Sequence, residues 1–232
     1  MLTIRPAEAR GKYDFGWLKT AHSFSFGHYR DPAHMGFSDL RVINQDYVEP
    51  GKGFDTHPHK DMEIITYVLD GALAHKDSVG NSAIIHRGEI QRMSAGTGIT
   101  HSEFNASDEE GVEFLQIWVR PDRNGHKPGY EQKPLSGSVK NAFGLIASGD
   151  GREDTVSLNQ DVLIYVGQFE GAQRIHHEIA EDRRAWVQIA KGEAMLNGTA
   201  LKAGDGASIE GDEALVFDIG DTGAEILLFD LR

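Results

Sequence analysis

Two short motifs carry the chemistry of this chain: His57-Pro58-His59 and, further on, His101-Ser102-Glu103. In an extended strand, side chains alternate faces, so residues two apart point the same way. Each motif then presents two donors on one face: two imidazoles from the first, an imidazole and a carboxylate from the second. If the two strands lie side by side in a barrel, the four groups converge. Three nitrogens and one oxygen suit a divalent transition metal with positions left open for substrate. The competing reading is a metal-free network of His and Glu at a barrel mouth. It would desolvate three imidazoles with nothing gained in return.

Parity leaves the carboxylate open. Glu63 shares the strand face of His59, and Glu103 shares that of His101. If Glu63 is not the ligand, it is a candidate acceptor for an imidazole N–H, which would fix the ring tautomer. The remaining histidines considered, His22, His28, His34, His75, His86 and His126, read as surface or packing residues. Phe24, Phe26 and Phe37 read as core. Met62 and Trp118 are pocket-lining candidates, although apolar strand residues ordinarily just fill a barrel.

Composition narrows the chemistry further. There is no cysteine, which excludes disulfides, thiolate nucleophiles, Cys-ligated zinc and iron–sulfur clusters. Any metal must be held by His and carboxylate. Lys and Arg number 23 against 36 Asp and Glu, a net charge of −13. That opposes unaided binding to nucleic acid or an anionic membrane, and leaves a basic protein partner open. No apolar run is long enough to span a bilayer. Residues Met1 to Gly16 mix charges of both signs, so no secretory signal is expected and the cytoplasm is the expected location.

The elements that must position the motifs read as short strands. Leu40–Asn44, Met62–Leu69, Ala72–Asp77, Ala83–His86, Glu89–Met93 and Val112–Arg120 are β-prone runs separated by turn signals such as Asp70-Gly71 and Arg87-Gly88. After a polar stretch holding Pro128 and Pro134, the pattern resumes over Val162–Phe169, Ala185–Ala190, Ala194–Leu196, Ala207–Ile209, Ala214–Ile219 and Ile226–Leu231. Glu178–Arg184 is the one helical expectation. The predicted fold is all-β, two antiparallel barrels with few short helices. The expected divisions are a metal-binding barrel over 1–125, a linker over 126–140 and a second barrel without ligands over 141–232.

The halves also resemble each other. Tyr67–Gly71 is similar to Gln188–Gly192, and Arg87-Gly88-Glu89 to Ala203-Gly204-Asp205. Carried across, this register sets Glu178 and Ala180 against His57 and His59, and Phe217 and Ile219 against His101 and Glu103.

A family resemblance rests on wider wording. Gly51, His57-x-His59, Glu63 and Gly71 resemble the first cupin motif, and Gly98-x-x-His101-x-x-x-Asn105 the end of the second. The first has seven rather than six residues between Glu63 and Gly71, and Gly96 stands near the usual proline of the second. More specific are His22-Ser-Phe-Ser-Phe-Gly-His-Tyr29, Met35-Gly-Phe37, Leu40-Arg-Val-Ile-Asn44, His57-Pro-His-Lys-Asp-Met-Glu63 and Met93-Ser-Ala-Gly-Thr-Gly98 running to His101-Ser-Glu103. This resembles the pirin family of bicupins, and in particular its bacterial quercetinase-type members. The resemblance is dense from about Trp17 to Val119 and weaker beyond.

The resemblance implies two facing cupin barrels with metal only in the first. It implies His57, His59, His101 and Glu103 as ligands, with Glu63 left to a supporting role. It implies one divalent ion, Fe(II) first, with Zn, Ni, Mn, Cu or Co compatible with the donor set. The implied activity is cleavage of a flavonol such as quercetin by O2. In such a reaction Glu103 either takes the proton of an enolic hydroxyl by swinging off the metal or remains a ligand throughout. The alternative is a non-enzymatic, redox-sensing metal protein acting on a partner such as a transcription regulator. A sugar isomerase lacks support, since no basic cluster near the motifs awaits a phosphate. A monomer is expected.

Overall fold

The computed structural model describes residues 1–135, 139–211 and 214–232. Its strands are, in chain order, β1 (Leu2–Arg5), β2 (Gly11–Asp14), β3 (Leu18–His22), β4 (Leu40–Val48), β5 (Gly53–His59), β6 (Glu63–Asp70), β7 (Ala72–Asp77), β8 (Ser82–His86), β9 (Glu89–Ser94), β10 (Ile99–Asn105), β11 (Val112–Val119), β12 (Gly129–Pro134), β13 (Phe143–Ser148), β14 (Val156–Ser157), β15 (Leu163–Phe169), β16 (Gln173–His177), β17 (Arg184–Leu196), β18 (Thr199–Lys202), β19 (Gly206–Glu210) and β20 (Leu215–Leu231). The all-β expectation holds. No helix among the described residues is long and apolar enough to cross a membrane.

The helix expected over Glu178–Arg184 does not form. Glu178 to Ala180 is irregular, Glu181 and Asp182 turn, and Arg184 already pairs with Glu210 and Leu231 as the first residue of β17. A segment this short cannot repay helix nucleation by itself. The apolar run behind Arg184 draws it into the ladder instead.

By packing, the chain forms two units: Gly11–Leu135 with Val156–Gln160, and Met1–Arg10 with Ser136–Thr155 and Asp161–Arg232. Within the segment read as a linker, Gly129–Pro134 forms β12 against β9. β12 borders its sheet, and Pro134 ends it, where a missing N–H is tolerated. Residues 136–138 lie outside the described residues.

The unit that begins at Gly11 is built from two antiparallel sheets, ordered β5-β10-β7-β8 and β12-β9-β6-β11-β4-β3-β2. They are not joined into a hydrogen-bonded ring; they face each other across shared side chains. Leu18, Val48, Val68, Val112 and Phe114 from the larger sheet pack with Leu73 and Ile85 from the smaller. One step along the strands the interior turns polar: Val48 gives way to Asp46, Val68 to Thr66, and Phe114 to Gln116, all three buried. This polar band over an apolar floor is where the motif residues sit. The tight return from β6 to β7 uses Gly71 at φ +74°, where an added Cβ would stand 2.8 Å from the Gly111 carbonyl.

The second unit has the strand order β1-β19-β17-β20-β15-β13, with β16 on β20 and β18 on β17. Its interior is apolar, with Val187, Ile189, Leu196, Phe217, Ile219 and Leu228 in one cluster. The register expected between the halves is corrected here. His101 pairs with His57 and Ile99 with His59 in the first unit, whereas Phe217 pairs with Ile175 and Leu215 with His177 in the second. Ile175 and His177, not Glu178 and Ala180, therefore answer the His-x-His motif. The sequence alignment slipped because the strand ends at His177 and Glu178 lies beyond it. His177 itself packs its ring on Tyr165 at 4.8 Å and Phe143 at 5.6 Å.

Candidate metal centre

β5 and β10 are hydrogen-bonded neighbours, so the two motifs meet across one ladder. Pro58 fits because β5 is the border strand of its sheet. Gly53, at its start, fits because β10 crosses so closely that a Cβ there would lie 2.3 Å from the Glu103 carbonyl oxygen. Between the His101 and Glu103 positions the register shifts, so that Glu103 faces Phe54. Such a bulge re-aims the strand. The carbonyl of Asp55 there accepts a hydrogen bond of 2.7 Å from His57 Nδ1. A carbonyl only accepts, so Nδ1 holds a proton, which leaves Nε2 as the nitrogen of His57 that can serve a metal.

The three imidazoles cluster tightly. Ring centroids are 4.8 Å apart for His57 and His59, 4.4 Å for His57 and His101, and 4.8 Å for His59 and His101. One nitrogen from each lies within 4.8 Å of the others. His101 is 2% exposed, and the other two are half-buried. Burial, and then the neighbouring imidazoles, push His101 down to about 2; burial and His57 push His59 down to about 4. Both rings are neutral near pH 7, as metal ligation requires.

Behind His101 stands a buried chain of groups. His75 Nδ1 lies 3.4 Å from His101 Nδ1, and His75 Nε2 lies 3.2 Å from Asp77 Oδ2. Asp77 is itself held by the backbone N–H groups of Val79 and Asn81, each at 3.0 Å, and by the Asn81 amide at 2.8 Å. A carboxylate takes the Nε2 proton of His75, whose Nδ1 then accepts from His101. That assignment turns the His101 Nε2 lone pair toward the other two rings. His101 Nε2 is buried and has no hydrogen-bond partner. An orphaned imidazole nitrogen between two further imidazoles fits a cation, so the residues present suit the metal that the motifs imply.

Glu103 is 3% exposed, and its nearer oxygen lies 4.0 Å from His101 Nε2. Gln116 Nε2 donates to both carboxylate oxygens, at 3.0 and 3.2 Å, while Thr66 Oγ1 donates to Gln116 Oε1 at 3.1 Å and so orients the amide. Burial pushes the Glu103 carboxyl up to about 7, with the Gln116 hydrogen bond acting against it. The metal-competent atoms thus form two overlapping trios, His57–His59–His101 and His75–His101–Glu103. Glu63, 1% exposed, is engaged elsewhere: Ser94 Oγ donates to it at 2.7 Å, and Asn159 donates at 3.0 Å from its side chain and 3.3 Å from its backbone. Trp118 stands edge-on to His59 at 4.9 Å.

Sequence reading assigned no role to His75 and did not single out Asp77 or Gln116. A signal was there for each. His75-x-Asp77 repeats the two-residue spacing of the motifs within a predicted strand, and Gln116 interrupts an otherwise apolar one.

Comparison with known proteins gives the family of the chain. The family model described as Pirin matches residues 3–119, and that described as the quercetinase C-terminal cupin domain matches 145–231. The chain is 45% identical over 231 residues to the quercetin 2,3-dioxygenase of Escherichia coli (strain K12), covering 100% of this chain and 99% of that one. It is 38% identical over 232 residues to a pirin-like protein of Caulobacter vibrioides, covering 99% of each. Its fold matches the crystal structure of the bacterial pirin YhhW from Escherichia coli in complex with nickel(II), with TM-score 0.95 and 44% identity over 100% of this chain and 99% of that one. By sequence and by fold along its whole length, the chain belongs to the pirin family.

Proposed function

We propose that this protein is a metal-dependent dioxygenase that cleaves flavonols such as quercetin with O2. The observation that carries the reading is the orphaned, buried His101 Nε2 facing two further imidazoles, beside the buried carboxylate of Glu103. The name of the relative from Escherichia coli and the nickel(II) in YhhW support it. His57, His59 and His101 hold one divalent first-row ion, and Glu103 completes the set. Fe(II) is the expected ion, and the donor set also accepts nickel(II). When bound, the ion supplies Lewis-acid and redox chemistry to substrate and O2.

The chain's own residues do the rest. Glu103, on leaving the ion, would take the proton of the substrate's enolic hydroxyl on a carboxylate oxygen and return it to product. Gln116 holds that carboxylate aimed inward. Trp118, packed with Ile64, Met93, Ala95 and Ile99, keeps water from the reacting ring. The test is anaerobic loading with each first-row metal, then quercetin with O2. Ring cleavage with carbon monoxide release is expected. Full metal occupancy with no turnover for any ion would instead support a metal-bearing protein that binds a partner.

A further inference from the structure

Residues 126–140 read as a linker in the sequence, yet Tyr130 within them stands against His75. Tyr130 pairs with Met93 across β12 and β9, and Gln132 pairs with Gln91. Residues two apart on a strand share a face, so Tyr130 and Gln132 point to the same side. The Tyr130 hydroxyl donates to Gln132 Oε1 at 2.7 Å. Gln132 Nε2 donates in turn to the Ile84 carbonyl at 2.9 Å and to Glu89 Oε2 at 3.0 Å. Ile84 lies on β8 of the smaller sheet. β12 is thus bonded along its length to one sheet and clipped by one side chain to the other. The phenol ring held in this way lies against the His75 ring, with centroids 5.0 Å apart and planes 36° from parallel. His75 in turn meets the His101 ring at 5.2 Å.

The orientation of His75 matters because His101 depends on it. His75 has a partner at each ring nitrogen, His101 Nδ1 at 3.4 Å and Asp77 Oδ2 at 3.2 Å. Both distances are at the long end for hydrogen bonds. The torsion that turns a histidine ring about its Cβ–Cγ bond is a soft one. An imidazole lone pair lies in the plane of its ring. Rocking the ring therefore swings the His75 Nδ1 lone pair away from the His101 N–H and loosens both bonds together. A second ring packed on the imidazole face blocks that rocking, and Tyr130 supplies it.

We propose that Tyr130 is a positioning residue of the metal centre: its ring holds the plane of His75, and through His75 the direction in which His101 presents Nε2. The hydroxyl anchors the ring to Gln132 and touches neither the imidazoles nor the substrate. The inference rests on the metal-dependent reading above and extends the support of the ion to a strand outside both motifs.

The test compares the full-length wild type with Tyr130→Ala and Tyr130→Phe. Nickel(II) affinity is measured by competition with a chelator, and the metal-free proteins are examined by imidazole proton–nitrogen NMR. Tyr130→Ala binds nickel(II) about three- to tenfold more weakly, the effect of losing one aromatic ring contact. Tyr130→Phe keeps the ring and stays within about twofold of the wild type. The His75 Nε2–H signal is sharp in the wild type and in Tyr130→Phe, and broadened or exchanged away in Tyr130→Ala. Tyr130→Leu, which keeps an apolar side chain on β12 without a flat face, follows the alanine variant and serves if that variant does not fold. Unchanged nickel(II) affinity in Tyr130→Ala overturns the assignment, as does an equal loss in Tyr130→Phe or a His75 signal alike in every form. A wild type that takes up no nickel(II) removes the metal reading, and the NMR comparison then decides by itself whether Tyr130 holds His75.

Discussion

His75 lies directly behind His101, with their Nδ1 atoms 3.4 Å apart and Asp77 closing the line from the other side. Groups of this kind fix the tautomer and orientation of a ligand, and losing them typically costs ten- to a hundredfold in metal affinity. His75→Phe, which fills the same space, should weaken metal binding by about that factor and also lower Tm of the metal-free protein, because Asp77 Oδ2 and His101 Nδ1 each lose a buried partner. Competition against a chelator measures the first and thermal unfolding the second. Unchanged affinity would reduce His75 to a packing residue.

Glu103→Gln and Glu63→Gln should separate the two carboxylates. Glu103→Gln loses metal, read by elemental analysis after dialysis. Glu63→Gln keeps the metal but loses about 1–3 kcal/mol of stability, because its partners Ser94 and Asn159 are left poorly matched. His59→Ala should lose most metal, whereas His86→Ala, on an exposed position, should lose none. The reverse result for the two glutamates would move the fourth ligand to Glu63.

Burial raises the Asp46 carboxyl from 3.8 to about 7, with Thr20 acting weakly against it. The folded protein then binds this proton more tightly than the unfolded chain, so the group favours folding at low pH. Its penalty grows as pH rises from about 4 and is complete above about 7. Asp46→Asn stays neutral throughout. Metal-free wild type and variant should be equally stable near pH 4, and the variant should gain up to ~4 kcal/mol by pH 8. The histidine titrations are common to both proteins and cancel, whereas the Glu103 carboxyl, which Asp46 pushes up, is eased by the substitution and moves the difference the same way. Urea midpoints that stay parallel across this range would show a hydrated carboxyl.

Gly53→Ala should be more damaging than its place near a strand end suggests. The new methyl meets the backbone of Glu103 and Phe104, so β5 and β10 must separate. A loss of about 1–3 kcal/mol is expected, with weaker metal binding in the same variant. Far-ultraviolet circular dichroism during heating and a metal titration read the two effects.

Much of this was legible in the residues themselves. Period-two spacing put His57 with His59 and His101 with Glu103, and Asp70-Gly71 marked a real turn. What escaped was set by pairing between distant strands. Nothing near His75 says that it will face His101, and nothing near Tyr130 says that it will stand against His75. The slip that chose Glu178 over Ile175 has the same origin: turns of uncertain length hide the register until the ladder is seen.

Two of the three imidazoles ride on a border strand, tied to a neighbour along one side only. Such a strand frays before the rest of its sheet. On the proposed ligand set, an ion would tie this strand to β10 through His57, His59 and His101 while the rest of the sheet stays as it is. Backbone amides of Gly53–His59, Pro58 apart, should accordingly trade hydrogen with solvent faster than their neighbours in the empty protein and slow sharply on loading, while those of β6 and β11 stay unchanged.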